Sequence, residues 1–315
     1  MHVLLAGASG AVGTSLIPML VERGHTVTGT TTSEAKTDAL RVLGASPVVL
    51  DALDGGAVSA TVRAARPDAI VHQMTALSGF ADPRRFARGF AVTNRLRTEG
   101  TDHLLAAARA AGIQRVVAQS FTGWPYARTG GPVKTEQDVL DPSPPAQLRE
   151  TLAAIRHLEA AVTAAGGVVL RYGGFYGPGT GMAPGGDQWE MIRARKFPVI
   201  GDGGGVWSFT HIEDAAGAAV AALERWTPGQ LYNAVDDDPS PVREWLPVLA
   251  EVIGAKPPRH IPRWAGRIAG AHVVALLCES RGAANLKART ELGWTPTRPS
   301  WRQGVAELVG PVGDA

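Results

Sequence analysis

The chain has 315 residues, of which 45% are hydrophobic and 19% are charged, and its 31 basic side chains nearly balance its 29 acidic ones. This composition is typical of a globular protein with a substantial core, and it excludes bulk disorder and the basic excess that binds nucleic acid. The single cysteine, Cys278, excludes an internal disulfide and a cysteine-based zinc site. No apolar run reaches the roughly 20 residues of a membrane span, so we expect a cytoplasmic protein.

Apolar runs alternate with helical patterns through the first half of the chain. Strands are predicted at residues 2–6, 27–30, 47–50, 69–72, 115–118 and 168–171. Helices are predicted between them, at residues 14–22, 34–43, 57–65, 98–111 and 148–165. Strands that alternate with helices over short turns indicate an α/β fold, specifically a doubly wound parallel sheet of the Rossmann type.

The alternation ends near residue 172. Residues 173–187 are rich in glycine and proline, and four more glycines lie within residues 201–205. We therefore expect residues 1–172 to form a Rossmann domain. Residues 173–315 are expected to form mainly a small C-terminal α/β lobe, with some segments returning to the first domain. Ligands of open α/β sheets bind at the carboxyl edge of the strands, and we expect this lobe to pack there and bind substrate.

Three glycines separate the first predicted strand from the first predicted helix. Gly7 allows a tight turn, Gly10 lets a pyrophosphate approach the backbone, and Gly13 lets the helix pack close to the sheet. The N–H groups at the start of the helix would face the anion. The pattern predicts that the first domain binds a dinucleotide, and the alternative is a glycine turn without a ligand.

Several ordered segments resemble those of a known family. They are residues 7–13, with the spacing G-x-x-G-x-x-G, and residues 50–51, 71–74, 99–105, 170–179, 209–215 and 292–296. On these segments the chain resembles the extended branch of the short-chain dehydrogenase/reductase superfamily, the NAD-dependent epimerase/dehydratase-like proteins. The resemblance implies contacts to a nicotinamide cofactor from Gly7, Ser9, Gly10, Ala11, Val12, Asp51, Ala52, Gln73, Met74, Thr75 and Tyr172.

The end of the second predicted strand bears on which nicotinamide cofactor is used. An NAD site places a carboxylate there for the ribose hydroxyls, but this chain has Thr31, Thr32 and Ser33, and no acid before Glu34. Hydroxyl groups and the nearby Lys36 could bind a 2′-phosphate instead. We therefore predict that NADP(H) is favoured over NAD(H), with a merely polar loop as the alternative.

The catalytic residues are where the chain departs from the family pattern. The family uses a serine or threonine together with Tyr-x-x-x-Lys, in which the tyrosine transfers the substrate proton. The resemblance places Ser120 at the serine, and alignment on Glu159 places Thr151 at the tyrosine and Ile155 at the lysine. Tyr-x-x-x-Lys occurs nowhere in the sequence. Ser120 and Thr151 are therefore the candidate catalytic residues of an atypical site.

Three explanations for the missing tyrosine remain open. In the first, a phenol of the substrate supplies the proton after hydride transfer. In the second, another side chain is the acid, and the candidates are Tyr126, Tyr172, Tyr176, His157 and His211. In the third, catalysis is lost and the protein is an NADP-sensing regulator.

The residues near the predicted carboxyl edge indicate a hydrophobic substrate. Many extended members hold a nucleotide-sugar diphosphate with an Arg-Asp pair, but Trp207 and Ser208 occupy that place here. Aromatic and apolar side chains suit a flat, hydrophobic ligand. The candidate substrate-binding residues are Trp124, Tyr126, Tyr176, Met182 and Trp207.

Two further features differ from the family's usual pattern. Residues 127–147 form a long insertion before the helix that carries Thr151, and such a loop could close over the site. Arg97 takes the place of an asparagine that is often structural or catalytic in the family, and we expect a surface or structural role for it.

The sequence as a whole favours an NADPH-dependent ketoreductase that acts on a hydrophobic, aromatic carbonyl compound. It resembles atypical ketoreductases that tailor polyketides in antibiotic pathways, such as angucyclinone ketoreductases, which also lack the tyrosine. The alternatives are a nucleotide-sugar epimerase, dehydratase or reductase, and the NADP-sensing regulator. We expect a small-molecule substrate and no nucleic-acid, membrane or metal partner. The resemblance implies a homodimer formed through the helices that flank the fourth and fifth strands, and the alanine-rich faces of these helices permit it without requiring it.

Overall fold

The computed structural model describes residues 1–76 and 86–309. Its strands are, in chain order, β1 (His2–Ala6), β2 (Thr26–Thr31), β3 (Ala45–Val49), β4 (Ala69–His72), β5 (Arg115–Phe121), β6 (Val133–Lys134), β7 (Val168–Tyr172), β8 (Gly174–Tyr176), β9 (Val199–Ile200), β10 (Val206–Trp207), β11 (Phe209–His211), β12 (Leu231–Ala234), β13 (Ser240–Pro241), β14 (His260–Ile261) and β15 (Gly282–Ala283).

Helices connect these strands. They are α1 (Ala11–Glu22), α2 (Thr37–Val42), α3 (Gly55–Ala65), α4 (Phe86–Arg95), α5 (Thr101–Ala110), α6 (Ala146–Ala164), α7 (Asp187–Arg193), α8 (Ile212–Glu224), α9 (Val242–Val252), α10 (Arg263–Ala269), α11 (Ala271–Val274), α12 (Leu286–Glu291) and α13 (Trp301–Glu307). A 3₁₀ turn precedes α2, and π-helical turns join α4 to α5 and follow α11. Within the described ranges, no helix is long and apolar enough to cross a membrane.

Seven parallel strands form the main sheet, in the order β3-β2-β1-β4-β5-β7-β12. The strand order reverses between β1 and β4, and this switch point opens a crevice at the carboxyl ends of the strands. The predicted doubly wound Rossmann sheet is confirmed, with strands one to six observed as β1–β5 and β7. The seventh strand, β12, was not predicted. It comes from residues 231–234 and returns from the C-terminal region to pair with β7.

Hydrophobic cores lie on both faces of the sheet. On one face α1 and α8 pack together over β1 and β7, and the small residues of α8 allow close approach. On the other face α3 and α5 cover β1 and β4, and α6 covers β5 and β7. All residues of β4 and β7 are buried, as expected for strands covered on both sides.

A separate core forms in the C-terminal region, around a cluster of aromatic rings. The rings of Phe209 and Trp245 lie 5.5 Å apart at 78°, and Trp301 lies 5.6 Å from Phe209. This core includes α9 and α13, and we call the part of the chain around it the small lobe. It lies next to β8 and β11, which continue from the carboxyl edge of the sheet. The lobe therefore closes one side of the crevice.

The predicted helix at residues 98–111 begins differently in the structure. Residues Leu96–Gly100 form a π-helical turn, and the Thr101 hydroxyl donates to the carbonyl of Leu96 at 3.3 Å. Such turns widen a helix by one residue and occur frequently at functional sites. This turn places Arg97 on the inner side of the helix, facing the sheet and α6.

Candidate active site

A cavity of about 720 Å³ lies in the crevice between the sheet and the small lobe. We call it the central cavity. Its sheet side is lined by Gly10, Ala11, Val12, Gln73, Thr75, Phe90, Arg97, Gln119, Phe121, Thr122, Trp124 and Ile155. Its lobe side is lined by Phe175, Met182, Met191, Phe197, Trp207, His272, Leu276 and Leu277, among others. Its position is the ligand-binding position of open α/β sheets.

The glycine loop has the geometry that close approach of a pyrophosphate requires. Gly7 has φ +88°, and a Cβ there would come within 2.8 Å of the Gln73 backbone. A Cβ on Gly13 would come within 2.4 Å of the Ala8 carbonyl oxygen, so only glycine allows α1 to pack this closely. Gly10 precedes α1, and no side chain caps the helix N–H groups. The start of α1 is therefore open to an anion in the central cavity.

The end of β2 would hold the adenosine part of a dinucleotide. The Ser9 and Thr31 hydroxyls lie 2.9 Å apart and join the glycine loop to this strand end. Thr32 and Lys36 are exposed beside it, and Ser33 is half-buried. Asp51, also exposed, accepts a hydrogen bond from the Leu53 N–H at 2.9 Å. These residues and the glycine loop fit a nicotinamide dinucleotide, with the acidic ribose contact of an NAD site replaced by hydroxyl groups.

The residues after β4 divide between core and cavity. Gln73 and Thr75 line the central cavity, whereas Met74, like Ala52, is buried in the core under α3 and α5. His72 fixes this turn, because its Nδ1 accepts from the Met74 N–H at 3.1 Å and its Nε2 lies 3.1 Å from the Thr101 hydroxyl. Burial lowers the pKa of His72 to about 4, so the ring is neutral at pH 7.

Ser120 does not face the central cavity, which corrects its expected position. Its hydroxyl donates to Glu159 at 2.7 Å, and Glu159 accepts two hydrogen bonds from Arg171 at 2.7 and 2.6 Å. Side chains alternate along a strand, so Gln119 and Phe121 point into the cavity while Ser120 points towards α6. Thr122, just beyond β5, is the hydroxyl residue that lines the cavity at this strand end.

Thr151 also lies outside the lining of the central cavity. Its side chain is buried, and its hydroxyl accepts a hydrogen bond from the Asn94 amide at 3.2 Å. One turn further along α6, Ile155 lines the cavity at the position aligned with the family's lysine. An apolar side chain therefore replaces the amine, and Thr151 helps to hold α4 against α6.

The side chains proposed as a displaced acid do not line the central cavity either. The Tyr172 hydroxyl donates to the Ala215 carbonyl at 3.1 Å in the sheet core, which corrects its expected cofactor contact. Burial raises the pKa of this phenol. His157 lies on the surface, 2.8 Å from Asp102. His211 accepts from the Glu213 N–H at the start of α8.

The predicted substrate residues also separate into two groups. Trp124, Met182 and Trp207 line the central cavity, and the Trp207 indole is held by a 2.9 Å hydrogen bond to the Leu276 carbonyl. Tyr126 is instead buried in the network of Arg171, and its hydroxyl donates to Asn233 at 2.9 Å.

Tyr176 is packed in the core of the lobe, with its ring 5.1 Å from the ring of His211. The structure therefore corrects the expected positions of both Tyr126 and Tyr176. The fourth tyrosine of the chain, Tyr232, donates to Glu291 at 3.0 Å. All four tyrosines lie within the described ranges, and none lines the cavity.

The insertion at residues 127–147 is anchored away from the central cavity. Arg128 forms ion pairs with Asp141 at 3.1 Å and with Glu279 at 2.7 Å, and β6 pairs with β15 of the lobe. None of its residues lines the cavity. The expected lid over the site is therefore not observed, and the insertion instead joins the sheet to the lobe.

Arg97 differs most from its expected position. Its side chain is 5% exposed and lines the central cavity, so a surface role is wrong. Burial lowers its pKa to about 10, against the opposing effect of Glu159, and the guanidinium remains charged at pH 7. The sequence placed Arg97 correctly before α5, but the π-helical turn that directs it inward has no signal in the hydrophobic pattern.

The comparisons with known proteins agree with this geometry. A 3-diazoavenalumate denitrifying reductase from a Streptomyces species is 47% identical to this chain, over 97% of this chain and 99% of its own. A 4-hydroxy-2-methyl-3-oxo-4-farnesyl-3,4-dihydroquinoline-1-oxide ketoreductase from Stigmatella aurantiaca is 29% identical, over 99% of this chain and 98% of its own.

A solved dTDP-glucose 4,6-dehydratase from Streptomyces venezuelae, with NAD bound, has the same fold. Its TM-score is 0.76 over 98% of this chain and 96% of that chain, at 22% identity. The model of the NAD dependent epimerase/dehydratase family matches residues 3–234. This chain therefore belongs to the NAD dependent epimerase/dehydratase family of nicotinamide-dependent oxidoreductases.

Proposed function

We propose that this protein is an NADPH-dependent reductase of a hydrophobic, aromatic small molecule, and that the reacting group accepts hydride without an acid from the protein. One observation carries the proposal. No tyrosine of the chain lines the central cavity, and Ser120 and Thr151 are both held outside it by buried hydrogen bonds. A bound reduced nicotinamide would supply the hydride. The reacting group of the substrate then determines whether the reaction also needs a proton.

Two kinds of reacting group differ in that requirement. Reduction of a ketone to an alcohol consumes one hydride and one proton. Replacement of an aryl diazonium group by hydrogen consumes one hydride, releases N₂ and consumes no net proton. A cavity without a tyrosine suits the second reaction better. The 47% identical relative is a 3-diazoavenalumate denitrifying reductase, which acts on a diazo compound. We therefore favour an aromatic diazo substrate.

The lining of the central cavity supports an aromatic substrate of either kind. Trp124, Phe175, Phe197 and Trp207 contribute rings, and Met182 contributes a flexible apolar side chain. Such surfaces bind aromatic ligands favourably, because the ligand buries apolar area and makes offset or edge-to-face ring contacts. A nucleotide sugar is disfavoured, because Trp207 stands where a diphosphate would need a cation.

NADPH rather than NADH is proposed from the end of β2. Thr31, Thr32 and Ser33 provide hydroxyl groups there, and Lys36 is the nearest following cation. A carboxylate at this strand end would repel a 2′-phosphate, and the first acid, Glu34, is exposed in the 3₁₀ turn.

Reduction of a ketone is the second candidate. It is favoured by the name of the 29% identical relative, a ketoreductase. In this case a phenol next to the carbonyl would supply the proton that no tyrosine supplies. His272 also lines the cavity, and its imidazole is the protein group that would supply the proton instead.

The test measures NADPH oxidation with four probes. They are the diazonium derived from 3-amino-4-hydroxybenzoate, a 2-hydroxyaryl ketone, the same ketone without the phenol, and UDP-glucose. We expect fastest turnover with the diazonium, above the rate without enzyme. Turnover confined to the phenolic ketone would favour the second candidate. Turnover with both ketones that is lost in His272→Asn would assign a protein acid and overturn the proposal. Tight NADPH binding without oxidation of any probe would favour the regulator.

A further inference from the structure

We propose that Arg97 forms a carboxylate-binding subsite in the central cavity, so that the substrate is an aromatic acid anchored by its anionic end. The inference rests on the proposed function and specifies its substrate class. Arg97 lies on the π-helical turn, reaches the cavity beside Ile155 and Phe90, and is nine-tenths or more buried. A side chain that is charged and buried at a ligand cavity requires an explanation.

The hydrogen bonding of Arg97 is incomplete. Its Nη1 atom is buried and has no hydrogen-bond partner, and Arg97 forms no ion pair with any residue in the described ranges. A buried guanidinium nitrogen without an acceptor costs free energy, and a ligand acceptor can recover it. The planar fork of arginine matches a carboxylate, which can accept two parallel hydrogen bonds.

The charges around Arg97 do not balance. The carboxylate that acts on it is Glu159, but Glu159 is already bound by Arg171 through two hydrogen bonds. These three buried groups therefore carry one uncompensated positive charge. His72, close to the same turn, is neutral at pH 7 because its pKa is about 4. An anion in the central cavity would neutralise this positive charge.

The surrounding lining indicates what kind of molecule carries this anion. Most of the cavity surface is aromatic or aliphatic, and the other lysine or arginine among the lining residues that the structure describes, Lys196, is exposed at the rim. A diphosphate needs several cations and polar donors, whereas a single buried guanidinium fits a single carboxylate. The rest of such a ligand would pack against rings such as Trp124 and Trp207.

The test separates binding from turnover. The probes are 4-hydroxycinnamate and its methyl ester, titrated calorimetrically into the NADP⁺-loaded protein. We expect the acid to bind about 10- to 100-fold more tightly than the ester. Arg97→Met, which keeps the length and removes the charge, should abolish this preference, and Arg97→Lys should retain part of it. NADP⁺ affinity should remain within about twofold in both variants.

Lys196→Met is the matched control, because it removes a cation from the rim of the same cavity. It should keep the preference for the acid. Equal binding of acid and ester by the unmodified protein would overturn the subsite, even if Arg97→Met fails to fold. Loss of the preference in Lys196→Met but not in Arg97→Met would overturn it as well. So would a fall in NADP⁺ affinity in Arg97→Met that equals the fall for the acid, since Arg97 would then bind the cofactor. If the protein prefers the acid but reduces none of the four probes of the NADPH oxidation test, the proposed function fails and the subsite stands.

Discussion

Two hydroxyl residues at the end of β5 have different surroundings. Ser120 and Thr122 both carry hydroxyls, but Ser120 points towards α6 and binds Glu159, whereas Thr122 lines the central cavity. Sequence resemblance selected Ser120 because it matches by residue type. Alternation along β5 puts Ser120 on the face opposite Gln119 and Phe121, whereas Thr122 lies just beyond the strand, where the alternation no longer applies.

A first prediction follows for Ser120 and Thr151. Ser120→Ala and Thr151→Val should each keep kcat/KM within about threefold of the unmodified protein, because neither side chain lines the cavity. Ser120→Ala leaves Glu159 paired with Arg171, so the fold should persist. Steady-state kinetics with the best probe of the panel checks this. A loss of 100-fold or more in either variant, with unchanged thermal stability, would return that hydroxyl to the catalytic site.

A second prediction concerns the cofactor preference. Lys36→Ala should weaken NADPH binding about tenfold and leave NADH binding unchanged, because only NADPH carries the 2′-phosphate. Arg41→Ala is the control, since Arg41 is a cation of the same segment that pairs with Asp38. Fluorescence titration with both cofactors gives the ratio. If the affinities for NADPH and NADH fall equally in Lys36→Ala, the lysine does not bind the 2′-phosphate.

At the scale of elements, the strand–glycine–helix unit was the most predictable part of the molecule. The strands and glycines of residues 1–30 follow from short-range patterns, namely apolar runs and positions that need a missing Cβ. The π-helical turn and β12 were not predictable in this way. The turn packs against α6, which is distant in the sequence, and β12 returns over a long range to the sheet edge, so neither has a signal in local patterns.

A third prediction compares three glycines around α1. Gly10→Ala should fold normally, since its Cβ would meet only the Gly7 carbonyl, at 3.4 Å, but NADPH binding should weaken at least tenfold because the methyl faces the central cavity. Gly13→Ala should destabilise the fold by about 3 kcal/mol, because its Cβ would overlap the Ala8 backbone. Gly24→Ala, with φ +76° and open space around it, should cost only about 1 kcal/mol.

Urea unfolding and NADPH titration of the three variants check the comparison. If Gly10→Ala unfolds as readily as Gly13→Ala, the loop has a packing role rather than a binding role. If Gly10→Ala binds NADPH normally, the cofactor does not pass over the start of α1.

At the scale of the whole molecule, one buried carboxyl group makes the folding stability depend on pH. Asp236 follows β12, accepts from the Trp301 N–H at 2.8 Å and is 2% exposed. Burial raises its pKa to about 7, above the ordinary 3.8. The folded state therefore holds this proton more tightly than the unfolded state, so the stabilisation is complete below pH 4 and is lost as pH rises towards 7. The total effect is at most about 4 kcal/mol.

Asp236→Asn tests this linkage. The variant should lose much of the decline in the free energy of unfolding between pH 5 and pH 8 that the unmodified protein shows. Asp38→Asn, at an exposed position on α2, should keep that decline. Urea unfolding at both pH values measures the difference. An unchanged pH dependence in Asp236→Asn would show that another group is responsible.

The fold as a whole was predictable, and the assembly of the site only in part. Gly10, Gln73 and Trp124 line the central cavity as the motifs indicated, whereas Tyr126 and Tyr176 are buried in packing or in the Arg171 network. Aromatic residues near a strand end serve either a core or a pocket, and the sequence does not distinguish these environments. Arg97 was missed because a charged residue on a helix is usually solvated.

The central claim is hydride transfer to an aromatic group that needs no acid from this protein. The most direct measurement mixes the protein anaerobically with NADPH and the ¹⁵N-labelled diazonium of 3-amino-4-hydroxybenzoate, and follows labelled N₂ by mass spectrometry together with NADPH absorbance. We predict one N₂ released for each NADPH oxidised, above the rate without enzyme, and a much lower rate in Gly10→Ala. NADPH oxidation with ketones alone, and no enzyme-dependent N₂ from the diazonium, would contradict the account.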